Sequence, residues 1–68
     1  GTQLFIETPY RNDAMLADLL STCEGNMLLC IAIDLEQPGG SAVTRSINSW
    51  KKKLPSLGKR PCVFILGK

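Results

Sequence analysis

The chain has 68 residues, a formal net charge of +2, three cysteines and no histidine. That length fits one small domain, which hides only about 60% of the surface its unfolded chain exposes. The missing histidine excludes a His-Asp-Ser or His-Cys relay within these residues, and no apolar run approaches the ~18 residues a membrane span needs.

The cysteines, Cys23, Cys30 and Cys62, are odd in number, form no CxxC pair and each lie among apolar neighbours. They read as buried free thiols in a reducing, cytoplasmic compartment. Lys51, Lys52, Lys53, Lys59, Arg60 and Lys68 all fall in the last third of the chain. A solvated face explains that mild asymmetry more simply than a dedicated nucleic-acid stripe. Gly1-Thr2-Gln3 carries neither the charged region nor the apolar run of a secretory leader. With no starting Met and a strand almost at once, the expectation is a piece of something longer.

Leu4 to Glu7 reads as a short strand bounded by Pro9. Thr8 suits the N-cap of a following helix and Pro9 its first position, where a missing N–H costs nothing. Met15, Leu16, Leu19, Leu20 and Cys23 recur at helical spacing, so the helix is expected to run to about Cys23, with Gly25-Asn26 as its C-cap. Met27 to Ile33 is continuously apolar, the pattern of a strand covered on both faces. It breaks at Asp34-Leu35-Glu36, and Pro38-Gly39-Gly40 signals a turn. Ser41 to Ile47 alternates and reads as an edge strand hairpinned back on its predecessor. A short helix is expected from Ile47 to Leu54, with Ile47, Trp50 and Leu54 as its apolar stripe and Trp50 as a core anchor. Its lysines lie in the last turn, where the helix dipole favours cations. Pro55 and Gly58 close it, and Pro61 to Leu66 forms another apolar strand.

The element order is therefore β-α-β-β-α-β, an α/β (α+β) domain over residues 1–68. Two helices this short cannot cover both faces of four strands, so one face is expected to meet something outside these residues.

Three polar clusters lie where strands end. Glu7, Thr8, Tyr10 and Arg11 follow the first strand. The Thr8-Pro9 junction would aim backbone N–H groups and a helix dipole at an anion that Arg11 could grip; an ordinary capped helix with a surface Arg accounts for the same residues. Asp34-Leu35-Glu36 leaves the second strand. If those two strands are parallel, both clusters share the edge where open α/β sheets bind ligands. Lys59-Arg60-Pro61 enters the last strand and joins that edge if the strand runs antiparallel. Strand-terminating acids before a turn are the simpler reading of the second cluster, and a solvated turn that of the third.

Phe-Ile-Glu-Thr-Pro-Tyr-Arg, an amphipathic helix, Ile-Ala-Ile-Asp-Leu, a strand with Thr44, a short helix and Pro-Cys-Val-Phe-Ile-Leu together resemble a known pattern. It is the C-terminal half of tetrapyrrole-methylase-like, class III S-adenosylmethionine methyltransferases. The branch it looks most like is the bacterial small-subunit ribosomal RNA cytidine 2′-O-methyltransferases. That branch carries Tyr-Glu-Ser-Pro-His-Arg at the first junction; Glu7, Pro9 and Arg11 match, while Thr8 replaces Ser and Tyr10 replaces His. After the second strand, Ile33 stands for an Arg and Glu36 for a Thr.

The resemblance implies a mixed sheet with strand order 1-4-2-3, strands 3 and 4 running antiparallel to 1 and 2. It implies that Thr8, Pro9, Asp34 and Leu35 contact S-adenosylmethionine, and that Glu7, Tyr10, Arg11, Glu36 and Arg60 face the acceptor or brace the domain interface. It further implies small-subunit ribosomal RNA as a partner, a homodimer, and an N-terminal domain holding most of the donor. These residues alone would then be inactive, and they identify no catalytic base. Two other readings remain: a porphyrin or other small acceptor on the same fold, and a non-enzymatic α/β dimerisation or binding module.

Overall fold

The computed structural model describes residues 2–6, 11–35 and 37–67. Its elements are β1 (Gln3–Ile6), α1 (Asn12–Thr22), β2 (Leu28–Ile33), β3 (Ser41–Ser46), α2 (Ile47–Lys52) and β4 (Cys62–Gly67). The order matches the β-α-β-β-α-β expected from the hydrophobic periods.

The strands form one sheet in the order β1-β4-β2-β3. All three neighbouring pairs are antiparallel, so within these four strands the sheet is antiparallel rather than mixed. β1 and β2 nevertheless point the same way, because β4 lies between them and opposes both.

The register sorts side chains into two faces. Phe5, Phe64, Ile31 and Val43 form one row, and Gln3, Leu66, Leu29 and Arg45 the next. Both helices pack on this face, where Leu16, Leu19 and Leu20 meet Leu29, Ile31, Phe64 and Leu66 in a single core. Met15 and Cys23 flank it, so the apolar stripe of the first helix lies as its spacing predicts. Arg45 lies over the Trp50 ring at 5.2 Å.

The opposite face carries the rows Leu4, Ile65, Cys30, Thr44 and Ile6, Val63, Ala32, Ala42. Nothing among the described residues covers its outer part: Leu4 is 58% and Ile6 71% exposed. On the helix-covered face β2 is buried at Leu29 and Ile31, while on the other face Ala32 is buried, Cys30 half-buried and Leu28 exposed.

Several local expectations are corrected. The N-cap of α1 is Arg11, not Thr8, and it makes no side-chain capping bond. Thr8 and Pro9 lie outside the described residues. The helix ends at Cys23 in extended backbone, so Gly25 is not its C-cap. Gly25 instead lets two segments meet: its carbonyl accepts from Asn48 N–H at 3.0 Å, and a Cβ there would collide with the Asn48 side chain. The second helix stops at Lys52, two residues before Leu54, which is 65% exposed. Without helical spacing to carry it inward, Leu54 is replaced in the core by Leu57, fully buried beyond Pro55.

Candidate functional site

The strand directions bring the C-terminal ends of β1 and β2 and the start of β4 to one edge of the sheet. Ile6 is paired with Val63 and Ile33 with Cys62. The ladder extends one step further, with Asp34 N–H donating to Pro61 C=O at 2.9 Å. Asp34 and Arg60-Pro61 are therefore neighbours at this edge, and β1 leads toward it. Glu7, Thr8, Pro9, Tyr10 and Glu36 lie outside the described residues.

Beyond β2 the backbone turns sharply. Asp34 has φ +52°, a left-handed conformation in which Asp is better tolerated than most side chains. Its carbonyl accepts from Gln37 N–H at 2.9 Å, and Gly40 N–H donates to Gln37 C=O at 2.9 Å. Gly40 packs against the Asp34 carbonyl so closely that a Cβ would overlap it. These bonds fold the Pro38-Gly39-Gly40 turn back under the strand exit and leave Leu35 62% exposed.

On the other side of the edge, the turn from Leu57 to Arg60 is built around Gly58 at φ +60°. The Arg60 guanidinium closes it, Nε donating to Leu57 C=O at 3.0 Å and Nη2 to Ser56 C=O at 2.6 Å. Arg60 thus braces its own loop while its residue remains exposed. Arg11 is also exposed, at the N-terminus of α1.

Asn12 joins these parts. It is completely buried, and its side-chain amide donates to the carbonyls of both Gly58 (3.2 Å) and Arg60. Its Oδ1 has no hydrogen-bond partner among the described residues. No local pattern signals this role. An Asn near a helix start suggests a local cap, and nothing nearby indicates a bond to a residue 46 positions away.

Cys62 lies beneath the same corner. Burial pushes its thiol pKa up, Arg60 pulls it down, and Asp34 and Asp13 push it further up. These opposed charges converge on one buried thiol, which makes it a poor nucleophile at neutral pH.

A separate groove of about 550 Å³ runs between α1 and the segment after α2. Leu16, Ala17, Leu20, Leu54 and Pro55 line it, with Asp13 and Lys51 also present. None of the residues expected to bind donor or acceptor contributes to it. Among the described residues, no group of three or more Cys, Asp or Glu is placed to hold a metal ion, and no helix is long and apolar enough to cross a membrane.

Among the described residues the edge presents an exposed apolar side chain at Leu35, a sharply turned backbone at Asp34, and exposed cations at Arg11 and Arg60. Compared with known proteins, the chain matches no family model and no curated sequence.

Proposed function

We propose that this chain is one wall of a methyl-transfer cleft: the C-terminal domain of a class III S-adenosylmethionine-dependent methyltransferase acting on small-subunit ribosomal RNA. The observation carrying this reading is the strand arrangement β1-β4-β2-β3, with β1 and β2 ending at the edge where β4 begins. It is the order implied by the resemblance of the Phe5–Arg11 segment and the strands after it. The half-open sheet adds support, because a domain that shares a site with another domain has a surface to cover.

The residues fit half of a donor site. Leu35 offers an exposed apolar surface at a strand exit, and the Asp34 turn, kept tight by Gly40, holds it there. In this reading Thr8 and Leu35, with Pro9 and Asp34 beside them, contact the adenosine part of S-adenosylmethionine. Glu7, Tyr10, Arg11, Glu36 and Arg60 face the acceptor. The donor supplies a methyl group on a sulfonium, open to in-line displacement. The chain's contribution is to hold acceptor and donor in that line.

The test is to measure donor binding by calorimetry and methyl transfer to small ribosomal subunits, using the full-length protein and the 68-residue chain in parallel. The expected result is binding and transfer by the full-length protein and neither by the chain alone. Micromolar donor binding by the chain alone overturns the shared-site reading. Transfer to tetrapyrroles but not to ribosomal particles moves the reading to a small-molecule acceptor. The exposed Leu4 and Ile6 favour a second reading, a non-enzymatic association module, and absence of donor binding by the full-length protein selects it.

A further inference from the structure

We infer that Asn12 is a positioning residue for the acceptor: its buried amide latches the Gly58–Arg60 turn to the N-terminus of α1 and so sets where Arg60 stands at the edge it shares with the Asp34-Leu35 exit. This rests on the methyltransferase reading given above.

The turn is anchored to the sheet at one end, through Asp34 N–H to Pro61 C=O. The internal bonds of Arg60 shape the turn but tie it only to Ser56 and Leu57. Among the hydrogen bonds described, those from Asn12 to Gly58 and Arg60 are the ones that join it to α1. They span 46 and 48 residues and are shielded from water by the burial of Asn12. A buried side chain that donates twice to one turn defines that turn's position with little freedom, since leaving its buried amide donors unpaired is costly.

The polarity of the amide fits this role. Its donor end holds the turn, while Oδ1 has no partner among the described residues. A carboxylate in the same place would turn two attractions into two repulsions. Only a donor serves here, which separates Asn12 from a generic polar residue at a helix start.

The consequence falls on one substrate. Leu35 and the Asp34 turn are held by Gln37 and Gly40 and not by Asn12, so the donor wall should survive loss of the latch. The Arg60 side should not. The acceptor therefore loses affinity while the methyl-transfer step keeps its rate once the acceptor is bound.

The test uses the full-length protein with Asn12→Ala, the milder Asn12→Ser, which keeps one donor, and Leu20→Ala as a control that weakens the core while leaving the hydrogen bonds of the turn in place. For Asn12→Ala, KM for small ribosomal subunits should rise about tenfold, with kcat and the donor Kd within about twofold of wild type. Asn12→Ser should fall between. Amide exchange at residues 58–62 should accelerate in the Asn12 variants and not in Leu20→Ala. A wild-type-like acceptor KM in both Asn12 variants overturns the inference alone. An equal KM rise in Leu20→Ala also overturns it, by showing a general stability effect. Absence of donor binding and transfer in the wild-type protein overturns the methyltransferase reading together with the inference built on it.

Discussion

The indole N–H of Trp50 donates to the backbone carbonyl of Leu29 at 2.9 Å, a buried bond that ties the short helix α2 to the second strand of the sheet. A helix of six residues has little stability of its own, so packing and this bond hold it in place. Trp50→Phe keeps most of the apolar volume and removes the donor. It should destabilise the protein by about 1–3 kcal/mol, while Trp50→Ala should cost about 3–5 kcal/mol. Urea unfolding at constant m-value measures both.

The same helix is capped by Ser46, whose Oγ accepts from Ser49 N–H at 3.1 Å. Ser46→Ala should cost about 1 kcal/mol and Ser46→Asp should be close to neutral. Equal losses for both would show that the hydroxyl acts through something other than the cap.

Two adjacent glycines make opposite predictions. Nothing lies within 4 Å of a Cβ built at Gly39, whereas one at Gly40 would overlap the Asp34 carbonyl. Gly39→Ala should change stability by less than about 0.5 kcal/mol, and Gly40→Ala should destabilise by more than about 1 kcal/mol. If the Asp34-Leu35 exit touches the donor, Gly40→Ala should also weaken S-adenosylmethionine binding by the full-length protein. Calorimetry on the two variants side by side separates the effects.

Burial of Cys62 gives a pH dependence of defined sign. Its pKa is raised in the folded state, so above about pH 8.5 the unfolded chain loses this proton while the folded one retains it. The contribution to stability is therefore present below that pH and lost as pH rises beyond it. Cys62→Ala should flatten the alkaline fall in unfolding free energy relative to wild type. In alkylation of the folded protein at pH 8, Cys62 should react more slowly than the same residue in the denatured chain.

Exposure of Leu4 and Ile6 predicts behaviour of the isolated chain. It should bind hydrophobic dyes and associate at high concentration. Leu4→Lys and Ile6→Lys should reduce both effects at little cost to folding, as light scattering and thermal unfolding would show.

The hydrophobic periods made the element order legible because the two periods differ so clearly here. Leu16, Leu19 and Leu20 can share a face only as a helix, and the Pro61–Leu66 run is too short and too apolar for anything but a strand. The end of α2 was not legible. Ile47, Trp50 and Leu54 keep helical spacing in the sequence, yet the chain leaves the helix after Lys52 and buries Leu57 in place of Leu54. Local spacing carries no information on which of two leucines the core can reach. The shared polar edge followed from strand directions, and Asp34 and Pro61 do meet there. Asn12 was invisible for the opposite reason: its partners are backbone carbonyls, which every residue possesses and no sequence pattern marks.

The place of β4 governs how the chain acquires this structure. The first strand pairs with the last, Gln3 opposite Leu66, and among the described strands β1 pairs with no other. The hairpin of β2 and β3 can form early from nearby residues. Among the described strands β1 must wait for β4 to insert beside it, and such long-range closure slows folding. During synthesis the apolar side chains of β1 would be without their β4 partner for the time taken to make nearly the whole domain. Chaperone engagement and aggregation should therefore centre on Leu4, Phe5 and Ile6, and moving β1 to follow β4 by circular permutation should speed folding.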